Sequence, residues 1–158
     1  MEARLNLSAS PVAAKSLKHF ASASMALFKG STLPKATQDL VLLRASQING
    51  CGYCTDAHSK DLAHAGEAAV RVNLVAAWRE STVFTEAERA ALELTEQGTR
   101  IADAAGGVTD EAWANAAEHY DEEELAVLVL LISLINASNR MGVINRMPGG
   151  AYQPGQFG

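Results

Sequence analysis

From Pro11 to Asn145 apolar residues recur every three to four positions, and no stretch sustains the every-second-residue alternation of a half-buried strand. That pattern limits the chain to helices packed on helices. The punctuation agrees with it. Ser10-Pro11 reads as an N-cap with proline in the first turn, opening a helix to about Phe28 that Gly30 closes. Leu17, Phe20, Ala21, Leu27 and Phe28 form its apolar stripe, with Ser24 among them. Pro34 opens a second helix, which carries Leu40, Leu43 and Ile48 and stops at Asn49-Gly50. A third starts at Cys51-Gly52-Tyr53-Cys54 and runs to Gly66, and a fourth covers about Glu67 to Trp78. Thr85 with Glu88 is a capping box for a fifth reaching about Ile101. After a loop at 104–107, Thr109 caps a short sixth through Trp113 towards His119. Asp121 with Glu124 opens the last, Glu122 to about Asn145.

The expectation is an all-α, single-domain bundle of six to seven helices over residues 1–147. A Gly/Pro-rich tail, 148–158, follows and either frays or drapes on a neighbour. Within the last helix, Leu125 to Ile135 is an eleven-residue run whose only polar member is Ser133. That run is short of the roughly 18 apolar residues a bilayer span needs, and it fits a helix buried on nearly all sides. One small subunit covers such a helix poorly, so a homo-oligomer is expected. Trp78 and Trp113 read as packing residues, and Glu86, Glu88, Glu93 and Glu96 as a solvated helix face.

Charge narrows the function. Thirteen Lys and Arg against eighteen Asp and Glu give a net charge of −5 with no basic block, which disfavours a nucleic-acid partner. The first residues lack the basic-then-apolar order of a secretory signal, so no membrane partner and a cytoplasmic location are expected.

The chemistry gathers at the two cysteines, Cys51 and Cys54. A zinc site needs about four ligands, and His19, His58, His64 and His119 offer no finger-spaced pair, so no metal and no cofactor are expected. A redox dithiol is the better reading, against that of two buried small side chains. His58 lies four residues after Cys54, on the same helix face, where an imidazole can take a thiol proton. The helix N-terminus adds about half a positive charge that favours thiolate, most of all at Cys51. Three carboxylates lie near the motif. Asp56 points elsewhere, Asp61 reads as a solvated surface group, and Asp39 sits beside Leu40-Val41-Leu42-Leu43, where burial without a partner is costly. Spacing alone does not bring Asp39 to His58.

The stretch from Asp39 through Ser46-Gln-Ile-Asn-Gly-Cys-Gly-Tyr-Cys-Thr-Asp-Ala-His58 resembles the carboxymuconolactone decarboxylase / alkylhydroperoxidase D family, in its cysteine-pair branch. Trp78-Arg79-Glu80, Phe84-Thr85, Ile135-Asn136-Ala137 and Asn139-Arg140 extend the resemblance to about residues 35–140. It implies an all-α fold assembled as trimers or hexamers, and a peroxidase site of Cys51, Cys54, His58, Asp39 and Tyr53. Asp39 falls where the family usually has Glu, one methylene longer. Tyr53 falls where alkylhydroperoxidase D has a second His, and Ser138 where many relatives have Trp. The implied reaction is attack of the Cys54 thiolate on a hydroperoxide, closure of a disulfide by Cys51, and reduction by an external dithiol or thiol–disulfide reductant. Helix-terminus physics favours Cys51 as the attacking sulfur, while His58 and the resemblance favour Cys54. Two other readings remain: a redox-sensing or binding protein with little turnover, and a decarboxylase-type lyase using His58 and Asp39 with the thiols incidental.

Overall fold

Seven α-helices form in a computed structural model that describes residues 2–104 and 106–156. They are α1 (Pro11–Gly30), α2 (Lys35–Ile48), α3 (Gly52–His64), α4 (Ala69–Leu74), α5 (Glu86–Thr99), α6 (Asp110–His119) and α7 (Glu122–Ile144). No strand occurs among the described residues. Met1, Ala105 of the expected loop and the tail's residues 157–158 lie outside them. The caps fall where the sequence places them. Ser10 Oγ accepts from the Ala13 N–H, and both Thr85/Glu88 and Asp121/Glu124 close reciprocal capping boxes.

α2 is the axis of the bundle, buried without a break from Thr37 to Ser46 and packed against α3, α5 and α7. Its two sides feed two apolar clusters. Val41, Leu42 and Ala45 meet Leu94 of α5 and Leu128, Leu131 and Ile135 of α7, while Leu40 and Leu43 meet Leu62, Trp78, Phe84 and Leu92. Each fully buried leucine stabilises the fold by about 1.5–3 kcal/mol. A helix enclosed in this way is held rigidly, and the motif that follows α2 inherits that rigidity.

Several expectations change. The fourth helix is only Ala69–Leu74, and a 3-10 segment, Val75–Glu80, follows it. The break is at Ala77 (φ −118°, ψ 30°), and the segment tucks Val75 and Trp78 inward. Trp113 is 44% exposed and lies outside the buried core, unlike Trp78. Glu88 and Glu96 do not belong to a solvated face. They share a stripe with the core residue Leu92, each four positions from it, and both are buried. Burial is tolerated because cations arrive from other elements. Arg71 Nη2 donates to Glu88 at 2.6 Å; Arg44 Nε (2.7 Å), the Trp78 indole (3.2 Å) and the Arg79 guanidinium converge on Glu96. Burial pushes the Glu96 carboxyl up, but hydrogen bonds from Arg44 and Arg79 outweigh it and hold the group below its ordinary range.

α7 also departs from the expected all-round burial. Its core face carries Leu128, Leu131 and Ile135, while Val129, Leu130, Val143 and Ile144 are exposed. By length and composition alone the helix is apolar enough to cross a membrane, with a mean hydropathy of 1.8 over 18 residues. Of the tail, residues 149–155 fold back along α3 of the same chain.

Candidate active site

The cysteine pair is presented by a tight junction between α2 and α3. Asn49 ends α2; Gly50 then takes a left-handed conformation (φ +65°) that few other residues adopt without strain. Its N–H donates to the Gln47 carbonyl (3.2 Å) and that of Cys51 to the Ser46 carbonyl (3.1 Å), a Schellman closure. Cys51 is thus the end of one helix cap and the start of the next: its Sγ accepts from the Cys54 N–H at 3.3 Å as the N-cap of α3. The two sulfurs are joined in a disulfide, with Cα atoms 5.3 Å apart.

A polar clasp ties this junction to α7. Asn49 Nδ2 donates to Asn136 Oδ1 at 2.9 Å, Asn136 Nδ2 to Thr99 Oγ1 at 3.1 Å, and the Asn139 amide bonds Ser46 Oγ at 3.0 Å. All three asparagines are withdrawn from solvent to some degree, which raises the cost of breaking any one bond. Gly142 of α7 sits against the disulfide. A Cβ there would stand 2.7 Å from Cys51 Sγ and 3.5 Å from Cys54 Sγ, so only glycine leaves the sulfurs room.

The sulfurs differ in access. Cys51 is 1% exposed, whereas Cys54 lies in the wall of a cavity of about 1250 Å³. His58, Asp39, Tyr53 and Ser138 line the same cavity; Leu17, Phe20, Met25 and Phe28 of α1, with Leu131, Ile135 and Met141 of α7, make it largely apolar. The apolar stripe of α1 therefore faces this space, and no α1 residue is fully buried.

Burial dominates the electrostatics. It pushes the His58 imidazolium down to about 4, with Asp61 acting against the shift and Lys35 adding to it, so the ring is neutral at pH 7. Asp39 is buried and raised for the same reason, partly offset by its ion pair with Lys35 one turn earlier. Burial, then the charge of Asp56, raises the Tyr53 phenol, which stays protonated at neutral pH.

Spacing left open which carboxylate serves His58. Asp39 and His58 share the cavity, but the carboxylate of Asp39 is paired with Lys35. Asp61 is not the free surface group its spacing suggested. Its oxygens accept from the Tyr152 hydroxyl (2.9 and 3.0 Å) and the Gly155 N–H (3.1 Å), and it too lines the cavity. Lys35, Asp61, Gly142 and Tyr152 were not picked out as site residues by sequence reasoning. Only Gly142 left a trace, as a glycine inside a strongly apolar helix. Among the described residues no group of three or more His, Cys, Asp or Glu is arranged to hold a metal ion.

Residues 14–97 match the Carboxymuconolactone decarboxylase family. The chain is 40% identical to YdfG, an uncharacterized protein of Bacillus subtilis, over 115 residues that make up 73% of this chain and 77% of that one. It is 32% identical to YnjA, an uncharacterized protein of Escherichia coli, over 76% of this chain and 64% of that one. Among solved structures it superposes on ATU0492 of Agrobacterium tumefaciens with a TM-score of 0.87 and 34% identity, covering 96% of this chain and 100% of the other. ATU0492 is of unknown function, and its name links it to antioxidant defence and AhpD.

Proposed function

The chain belongs to the carboxymuconolactone decarboxylase family, and from that premise we propose that it is a thiol-dependent peroxidase reducing organic hydroperoxides through Cys54 and Cys51. The observation that carries the reading is one arrangement. A disulfide-competent pair has one sulfur, Cys54, in the wall of a large apolar cavity, with a neutral histidine one turn along the same helix.

The steps balance as follows. Neutral His58 takes the Cys54 proton, and the thiolate attacks the outer oxygen of ROOH. The O–O bond breaks, the leaving alkoxide recovers a proton from the imidazolium as ROH, and Cys54 becomes a sulfenic acid. The Cys51 thiol then gives up its proton as its sulfur attacks the Cys54 sulfur, that proton leaves with the hydroxide as water, and the disulfide forms. An external dithiol returns two electrons and two protons. Tyr53, protonated beside Cys54 in the cavity wall, donates a hydrogen bond to the departing oxygen. Asp39 acts at one remove: its pairing with Lys35 offsets the cation that disfavours protonated His58.

The apolar lining favours a bulky hydroperoxide over hydrogen peroxide, since it gains binding from buried area that a small polar oxidant lacks. We take the working form to be a homo-oligomer, trimer or hexamer, in the cytoplasm; the exposed apolar face of α7 supports assembly, which light scattering on the purified chain tests.

Intact-mass spectrometry of the reduced chain after one equivalent of cumene hydroperoxide tests the function. The expected product is lighter by about 2 Da, as one disulfide. Two thiols still free after that treatment refute it.

A further inference from the structure

The C-terminal segment is bound along α3 by an unusually complete set of contacts for a Gly/Pro-rich stretch. Asp56 Oδ2 accepts from the Gly150 N–H (2.7 Å) and the Tyr152 N–H (3.2 Å). Lys60 Nζ donates to the Gly150 and Tyr152 carbonyls, both at 3.1 Å. Gly149 lies so close to the first residue of α3 that a Cβ there would stand 2.5 Å from the Gly52 oxygen. Tyr152 is 3% exposed, its ring edge-to-face with Tyr53 at 6.4 Å, and its hydroxyl ends on Asp61. The peroxidase chemistry uses none of these residues except Tyr53.

Asp61 is three residues after His58 on α3, so the two side chains share a helix face, and both open on the Cys54 cavity. Two donors from the strap, the Tyr152 hydroxyl and the Gly155 N–H, fix the carboxylate there. We propose that Asp61, held in place by Tyr152 of the C-terminal strap, is the positioning carboxylate for His58. The strap thereby sets how readily His58 takes the proton of Cys54.

The proposal rests on the peroxidase reading for its consequence, but the proton transfer is measurable without any peroxide. The charged and titratable groups sharing the cavity with His58 are Lys29 from α1, Lys35 and Asp39 from α2, and Tyr53, Asp61 and His64 from α3. Among the described residues α7 brings only non-titrating side chains to that wall. Lys35 and Asp39 largely answer each other as an ion pair, which leaves Asp61 as the anion that favours protonated His58. Without it the imidazolium–thiolate pair forms less readily, and Cys54 ionises at higher pH.

The experiment follows iodoacetamide alkylation of Cys54 against pH in the reduced Cys51→Ser chain, where one thiol titrates. Adding Asp61→Asn is expected to move the midpoint up by about one unit. Tyr152→Phe, which keeps the ring but removes the donor, moves it the same way by less, and Asp61→Glu recovers part of the shift. A strap that merely braces the fold would lower the urea midpoint and leave the alkylation profile where it was. An unmoved midpoint in folded Asp61→Asn overturns the proposal; should that variant not fold, an unmoved midpoint in Tyr152→Phe does so. Loss of the peroxidase reading is a separate result: cumene hydroperoxide then leaves the wild-type thiols free while the alkylation shift persists.

Discussion

The buried histidine makes the most direct quantitative claim. In the unfolded chain His58 titrates near its ordinary 6.5, whereas in the fold burial holds it at about 4. Between these values the unfolded state binds the proton and the native state does not, so protons stabilise the unfolded state and stability falls as pH drops. The full difference, reached below pH 4, is about 3 kcal/mol at 1.36 kcal/mol per unit. At pH 5, where an unfolded imidazole is almost wholly charged and His58 almost wholly neutral, the loss relative to pH 7 is about 2 kcal/mol. Urea unfolding of the disulfide form at pH 7, 6 and 5 measures it with no thiol titrating. Other groups contribute as well; Asp39, raised by burial, works in the opposite direction. The His58→Gln chain carries all of these in common, so the difference between the two pH slopes belongs to His58. The expected result is a wild type that loses about 2 kcal/mol more than His58→Gln from pH 7 to pH 5. Parallel curves refute the claim that the native ring is neutral because it is desolvated, and with it the ring's fitness as the base for Cys54.

Three further outcomes follow from other contacts. Gly142→Ala gains about 1 kcal/mol of helix propensity, but its Cβ would stand 2.7 Å from Cys51 Sγ, a crowding that costs about 1–3 kcal/mol. If a reduced thiol turns away from the new methyl, glutathione redox titration shows the pair easier to reduce by about 20–60 mV; an unchanged potential removes the argument for glycine there. Glu96→Gln strips the charge that answers buried Arg44 and lowers urea stability by about 3–5 kcal/mol, whereas Glu93→Gln, removing only one partner of half-exposed Arg79, costs under about 1 kcal/mol. Equal losses in the two would mean that burial of the Glu96 pair is not what matters. Tyr53→Phe slows cumene hydroperoxide oxidation of Cys54 about tenfold in stopped-flow fluorescence, the worth of one hydrogen bond to a developing anion; an unchanged rate takes the phenol out of the reaction.

What was legible in the sequence is what local physics encodes. Helix type follows from the apolar period, and the starts of α5 and α7 from capping boxes whose partners lie three residues apart. The junction before Cys51 was readable from Asn49-Gly50, because a left-handed residue after a helix end is a local requirement. Illegible features depend on a partner distant in the chain. Glu88 and Glu96 look solvated until Arg71, Arg44 and Arg79 arrive, from as far as 52 residues away for Arg44. Asp61 looked like a surface carboxylate because the hydroxyl that holds it is 91 residues later, in a stretch whose Gly and Pro content suggested a loose end. The 3-10 segment at Val75–Glu80 has a related origin: its residues are ordinary helix formers, and Trp78 is buried with its indole donating to Glu96, 18 residues later.

The same distinction bears on how the site works. Cys51, Cys54 and His58 are set relative to one another by a single helix start, so their spacing is a local property of α3. Their protonation does not share that independence. The charges around His58 come from α2, through Lys35 with Asp39, and from Asp61, which Tyr152 and Gly155 hold in place. The shorter carboxylate at position 39 is paired with Lys35. A second carboxylate on α3 itself, one turn on and braced by Tyr152, restores an anion to that neighbourhood by a different route. On the peroxidase reading, the motif determines which atoms react, while the flanking helix and the proposed role of the C-terminal strap set the pH range over which they do so.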